Sequence, residues 1–258
     1  MQILSRLKKL AIEDRKVQAL DTPDAYLAHR EVFEKKPFLK ELYRFYFDEL
    51  LKDFGNISGK KIVEVGAGAY NLSDYDSRII TTNSAKNRFI KVVADAQEFP
   101  FEADSLDGIV MINTFHHIPR PRLFFNDAAR VLKKDGVLAM IEPFFSPLGR
   151  FVYKNLNHEP VLDTPRTWEI PPGQVSNQIM PYHIFVRDNE IFEKDYPEFK
   201  IARVTPHTCV THLLCGGVSY KCLFPRAMGK YIWKLEDLLS PMRKYLAIST
   251  TVVVRKAA

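Results

Sequence analysis

Between Lys61 and Glu142 the chain repeats one rhythm. Short β-branched runs, KIVEV (61–65), RIITTN (78–83), FIKVVA (89–94), GIVMIN (108–113) and VLAMIE (137–142), are separated by turns and by stretches with helical spacing. That alternation predicts a parallel sheet with helices on both faces. Two amphipathic helices precede it, over residues 3–20 and roughly 37–54. In the second, Leu39, Leu42, Tyr43, Phe45, Tyr46, Leu50 and Leu51 recur at three- and four-residue steps. The helix before the fifth strand is the most clearly bounded: prolines at its entrance, apolar Leu123, Phe124, Ala128, Val131 and Leu132, then an Asp135-Gly136 turn.

After Pro143 the rhythm stops. Residues 144–186 are rich in Pro, Asn and aromatics without a long period, and read as an insertion over the carboxyl edge of the sheet, where open α/β folds bind ligands. Regularity returns with a helix near RDNEIFEKDYPEF (187–199), a strand at KIARVTP (200–206), a helix at PRAMGKYIWKLEDLL (225–239) and a last strand, LAISTTVVVRK (246–256). The expected organisation is one α/β domain over 1–258. It has N-terminal helices (1–58), a core (59–143), the insertion (144–186) and a C-terminal part returning to the sheet (187–258).

Composition narrows the class. Hydrophobic residues at 46% and charged residues at 26% match a soluble globular chain, and no apolar run approaches the ~18 residues that span a bilayer. Charges interrupt the first apolar positions, MQILSRLKKLAIEDRK, so a secretory signal is not expected and a cytoplasmic location is. Cys209, Cys215 and Cys222 form no C-x-x-C pair, and neither a disulfide framework nor a metal site is expected. The net charge of +6 is concentrated from Lys221 onward, in eight Lys/Arg against Glu236 and Asp237. Such a segment suits a solvated helix face, an anionic substrate, a nucleic-acid backbone or an anionic membrane surface.

The chemistry begins at Gly66-Ala67-Gly68, directly after the first strand. A dinucleotide fingerprint needs a further glycine at position 71, which is Asn71, and a G-x-G-x-G pattern needs one at 70, which is Tyr70. Glu64, just before the glycines, can orient the turn and meet a cationic cofactor. Downstream, the block from Val92 to Pro143 resembles, segment by segment, the class I S-adenosylmethionine-dependent methyltransferases of the type 11 group. The matching elements are Asp95-Ala96-Gln97-Glu98-Phe99-Pro100-Phe101 after the third strand, Asn113 at the end of the fourth, and Phe115-His116-His117. The resemblance covers about Lys60 to Pro143. It implies a Rossmann-like, mostly parallel seven-stranded sheet, and S-adenosyl-L-methionine held by Glu64, Gly66, Ala67, Gly68, Asn83, Asp95, Ala96 and Asn113. Asp95 would face the adenine amine and Asn113 the methionine moiety. Most members end the second strand with an acid for the ribose, whereas this chain reads Thr81-Thr82-Asn83-Ser84, so Asn83 is expected to be a weaker ribose contact.

A looser similarity to a bacterial subfamily extends further, through Glu142-Pro143-Phe144, Ser146-Pro147, His158-Glu159-Pro160, Trp168 and Phe185-Val186-Arg187-Asp188. Methyl transfer needs an aligned acceptor and, for a hydroxyl, a base. His117, His116 and His158 are the candidates, with Glu142 an alternative. The inserted aromatics Phe144, Phe145, Phe151, Tyr153, Trp168, Tyr182 and Phe185 suit an apolar acceptor pocket, and Arg150, Lys154, Arg166 and Arg187 an anionic group on the acceptor. The expected acceptor is a small molecule, lipid or lipid-linked sugar methylated at oxygen; nucleic acid is not expected. Two alternatives stand beside this reading: a non-catalytic partner protein, suggested by Tyr70 and Asn83, and an NAD(P)-dependent Rossmann oxidoreductase.

Overall fold

The computed structural model describes residues 22–164 and 166–257; the helix expected over 3–20 lies outside them. Two helices lead in, α1 (Pro23–Lys35) and α2 (Pro37–Leu51). Each begins with proline at its first turn, where the missing N–H costs nothing, and Thr22 caps α1 through Ala25 N–H at 3.2 Å.

Seven strands follow: β1 (Ile62–Val65), β2 (Ile80–Asn83), β3 (Val92–Val93), β4 (Leu106–Ile112), β5 (Leu132–Pro143), β6 (Phe199–His207) and β7 (Ser249–Lys256). They form one sheet in the order β3-β2-β1-β4-β5-β7-β6. The first five pair in parallel, and β7 runs antiparallel between β5 and β6. The expected mostly parallel sheet is therefore present, with one reversed strand.

Alternate residues feed two cores. Val63, Val65, Ile109, Met111, Leu138 and Met140 face an aromatic layer of Phe115, Phe124, Phe125, Phe192 and Phe199. Ile62, Val110, Ala139, Ile141 and Val253 face Leu39, Leu42, Tyr46, Phe47 and Leu50 of α2. Strands buried on both faces explain why these segments read as apolar runs.

Helix α3 (Pro121–Val131) is shorter than its apolar pattern suggests: Leu132 already belongs to β5 and pairs with Leu106, and the Asp135-Gly136 turn becomes an irregularity near the strand's start. The insertion is also more ordered than its sequence suggests. It contains α4 (Pro147–Asn155), capped by Ser146 on Gly149 N–H at 3.0 Å, and a helical turn at Met180–Tyr182 that runs on with π geometry through Arg187. A Cβ on Gly149 would overlap the carbonyl oxygen of Phe144, so only glycine lets α4 start this close to β5. Further helices include α5 (Asn189–Asp195), α6 (Thr211–Cys215) and α7 (Gly229–Leu238). Among the described residues no helix is long and apolar enough to cross a membrane.

Candidate functional site

The glycine turn leaves β1 at the carboxyl edge of the sheet. Gly66 has φ +71, and a Cβ there would overlap the Thr114 side chain; its glycine is demanded by packing against the end of β4. Gly68 differs: a Cβ would meet nothing within 4 Å, leaving its backbone open to a neighbouring cavity.

Below the turn, Ala67 is fully buried, donates to Thr82 O at 2.8 Å and accepts from Asn83 Nδ2 at 3.3 Å. Glu64 is buried and accepts Leu72 N–H at 2.7 Å. Burial raises its carboxyl to about 8 against the opposing pull of that N–H. Glu64 and Ala67 therefore brace the turn and do not line the cavity, whereas the sequence suggested direct contact.

The two positions that break the glycine patterns also have structural roles. Asn71 accepts from Ser73 N–H at 3.1 Å and donates to Gly68 O at 2.9 Å, forming a capping box with Asp74. Tyr70 packs with Phe33, Tyr43 and Phe47 beside the Arg30 guanidinium, so it does not fill the cavity. Arg30 in turn donates to Ala69 O at 2.9 Å and to both oxygens of Asp74 at 2.8 Å, tying α1 to the turn. The sequence reading missed this clamp because it joins residues about forty positions apart.

The cavity beside Gly68 measures about 570 Å³. Gly66, Gly68, Asn83, Asp95, Ala96 and Asn113 all line it, and α1 closes one side with Tyr26 and His29. Asp95 is exposed there while one oxygen accepts Gln97 N–H at 2.8 Å, so it caps its own turn and still offers a carboxylate. Asn83 accepts Ala85 N–H at 2.9 Å.

A second cavity of about 510 Å³ lies on the other side of Asn113 and is mostly apolar. Leu148, Phe151, Val152 and Tyr153 of α4 line it, with Leu213, Leu214, Val218 and Leu223 from the chain after β6. Only Phe151 and Tyr153 of the inserted aromatics reach it. Trp168 and Phe185 are core residues; Trp168 is fully buried, bonds Asp188 through its indole N–H at 2.9 Å and lies under Arg122. Phe144 and Phe145 both pack on Tyr182. The expected cations also lie elsewhere: Arg187 pairs with Asp188 and Asp163, and the lysine on the cavity wall is Lys221.

Asn113 lines both cavities. It ends β4 at φ +49, a left-handed conformation that asparagine tolerates better than most residues, and donates to Ile141 O at 2.8 Å. The next residues make a 3-10 turn, Phe115–His117, whose leading amides are held by a fully buried carboxylate: Glu142 Oε1 accepts Thr114 N–H at 2.8 Å and Phe115 N–H at 2.7 Å. Glu142 Oε2 lies 2.6 Å from His116 Nδ1. On the opposite side of the ring, His116 Nε2 is 3.2 Å from Glu159 Oε2 and 3.0 Å from Gln178 Nε2.

Burial alone would drive the His116 imidazole toward neutrality; the two carboxylates outweigh it and lift it to about 9. Burial opposes charge on Glu159 too, but the hydrogen bond and charge of His116 hold its carboxyl well below the ordinary range. His117 is pushed below the ordinary imidazole value by burial and by His116. The three histidines are divided: His117 lines the first cavity, His116 lines the second, and His158 is exposed at the second. Glu159 and Gln178, which complete the His116 edge, come from the insertion. Only the His158-Glu159-Pro160 element signalled one of them.

Residues 59–140 match the family model described as a methyltransferase domain. No curated protein matches the chain. Solved structures that resemble it include the geranyl diphosphate C-methyltransferase of Streptomyces coelicolor A3(2), at 11% identity over 85% of this chain and 80% of that one, TM-score 0.49. A methyltransferase in complex with the Haloferax volcanii Trm112 activator aligns at 15% identity over 91% and 95%, TM-score 0.49. A SAM-dependent methyltransferase of Aquifex aeolicus aligns at 15% over 98% of both chains, TM-score 0.42. The donor set beside Gly68 fits such a cofactor: an open backbone stretch, a carboxylate at Asp95 for an amine, and an amide at Asn83 for hydroxyls. Residues 59–140, which build the glycine turn, strands β1 to β4 and most of β5, are thus similar to a methyltransferase domain.

Proposed function

We propose that the chain moves a methyl group to a hydroxyl of a small, largely apolar or lipid-like acceptor bound in the second cavity. One observation carries this reading: Asn113 is a wall common to the polar cavity beside the glycines and the apolar cavity under the insertion. S-adenosylmethionine, when bound, supplies an electrophilic methyl on a sulfonium. Gly68, Asn83, Asp95, Ala96 and Asn113 hold the cofactor, and Glu64 and Ala67 support the turn from beneath. Leu148, Phe151 and Val152 exclude water from the acceptor side, and alignment across a shared wall is worth up to ~7–11 kcal/mol of barrier. The polar edge formed by His116, Glu159 and His158 is where an acceptor hydroxyl would lie, with His158 placed to take its proton.

The surface near this cavity supports delivery from an anionic membrane face. Leu223 is half-exposed on its rim, and Tyr231, Leu238, Met242 and Tyr245 are exposed on the same C-terminal segment as Lys230, Lys234, Arg243 and Lys244. Binding to vesicles containing phosphatidylserine, absent with neutral vesicles, is the expected outcome; equal partition to both would remove the membrane element. The acceptor reading itself is tested with Val152→Trp, which fills the second cavity. Transfer from labelled cofactor to apolar phenols should be lost while S-adenosylhomocysteine binding is kept; undiminished transfer would contradict the assignment.

A further inference from the structure

His116, His117 and Glu159 bring three potential metal-ligand atoms within 4.8 Å of one another, in the wall between the two cavities. The other nitrogen of each histidine is already committed. His116 Nδ1 lies 2.6 Å from the Glu142 carboxylate, and His117 Nδ1 lies 3.1 Å from the carbonyl oxygen of Val175, an acceptor that only an N–H can satisfy. With hydrogen on both Nδ1 atoms, a metal ion would take the place of the proton between His116 Nε2 and Glu159, leaving both rings with Nε2 lone pairs turned toward Glu159. These are the tautomers a metal requires, fixed by the kind of outer partners that ligating histidines have.

The two spacings to the carboxylate fit as well. Glu159 Oε2 is 3.2 Å from His116 Nε2 and 3.5 Å from His117 Nε2. Ligands at ~2.0–2.2 Å in a tetrahedron stand roughly 3.3–3.5 Å apart.

A second observation comes from Gln178. Its side chain is buried, its Nε2 lies 2.6 Å from Glu159 Oε2 and 3.0 Å from His116 Nε2, and its Oε1 is buried without a hydrogen-bond partner. Turning the amide over would bring that orphaned oxygen onto the same cluster, where a proton on His116 Nε2 or a metal ion would stand between it and the carboxylate. Two imidazole nitrogens and a carboxylate oxygen thus converge on one point, beside an amide that would present its oxygen there once turned over.

We propose that His116 Nε2, His117 Nε2 and Glu159 Oε2 bind a single divalent transition-metal ion of the Zn²⁺ class, with its remaining position open to the acceptor cavity. Three protein ligands with one open position is the arrangement of catalytic zinc, and two imidazoles with one carboxylate select such ions over Mg²⁺ or Ca²⁺. The cysteine spacing that spoke against a metal concerned thiolates alone. The part the ion would play, drawing the acceptor oxygen toward its deprotonated form, rests on the methyl-transfer reading; the binding itself does not.

The test is a titration of the full chain, stripped with a chelator and dialysed, with Co²⁺ followed by visible absorption and then displaced by Zn²⁺. One equivalent with the intense visible bands of four-coordinate cobalt is expected, and His117→Gln and Glu159→Gln should each weaken binding at least tenfold. Absence of saturable binding to the unmutated chain would overturn the proposal, as would affinity unchanged in both variants; the cluster would then share only a proton. S-adenosylhomocysteine titration of the same samples separates the two ideas. Loss of that binding with cobalt retained would sink the methyl-transfer reading and leave the metal site standing.

Discussion

The two cavities share Asn113 and differ in how they are made. The cavity beside Gly68, proposed for the cofactor, draws most of its lining from short local elements between Val65 and Pro119, at the ends of parallel strands, where backbone geometry places Gly68, Asn83 and Asp95. The second cavity, proposed above for the acceptor, gathers residues from Tyr43 to Ile248 and depends on buried carboxylates to hold its walls. Glu142 holds the turn carrying His116. Glu236 of α7 does the same for α6, accepting Cys209 N–H at 2.6 Å and Val210 and Thr211 N–H at 3.0 Å. One site is built by strand order, the other by long-range polar anchors, and the second is the easier to change without losing the fold.

Substitutions should separate the two. The largest effect is expected from Gly66→Ala, which adds a Cβ inside Thr114 at a left-handed φ. A loss of about 3–5 kcal/mol in denaturant unfolding, with cofactor binding lost alongside, should be partly rescued by Thr114→Ala.

Next is Glu236→Gln, which weakens several charge-assisted bonds at the start of α6. A cost of about 2–3 kcal/mol is expected, with faster hydrogen exchange near residues 209–215 and unchanged S-adenosylhomocysteine affinity. Burial opposes charge on Glu236, but the Thr211 hydroxyl and the three amides hold its pKa below 4.5. Its stabilisation is therefore present above that value and disappears as pH falls through the lowered folded-state value.

Glu64→Gln has the opposite pH signature. The folded chain keeps a proton on Glu64 up to about 8, while the unfolded chain releases it near 4.5. Stability from this group thus declines as pH rises between those values, and the Gln variant should flatten that slope in unfolding curves taken across the window.

The smallest effect is expected at Asp95→Asn, which exchanges a charged acceptor for a neutral one at an exposed position. Cofactor affinity should fall about tenfold by calorimetry with no change in unfolding midpoint.

The same contrast explains what could be read from sequence. All five strands of the core and the residues around Gly68 lie in contiguous motifs, so apolar runs and glycine spacing reveal them. The ends were less visible: Leu132 passes from helix pattern to strand because pairing with Leu106 overrides its apolar phase. Tyr70 and Asn71 looked like damage to a binding pattern, yet Asn71 replaces glycine flexibility with a side-chain cap, and Tyr70 packs against α2. The acceptor side was the harder half. Trp168 and Phe185 read as pocket aromatics, but a lid must bury its own core, and they do. Gln178 carried no signal, since its partner His116 is 62 positions away.

Calorimetric titration of the chain with S-adenosylhomocysteine, beside NAD, tests the central claim most directly. Saturable binding of S-adenosylhomocysteine alone, on the order of micromolar, is the predicted result. Binding of NAD, or of neither, would contradict the assignment of the Gly68–Asp95 cavity to an adenosyl sulfonium.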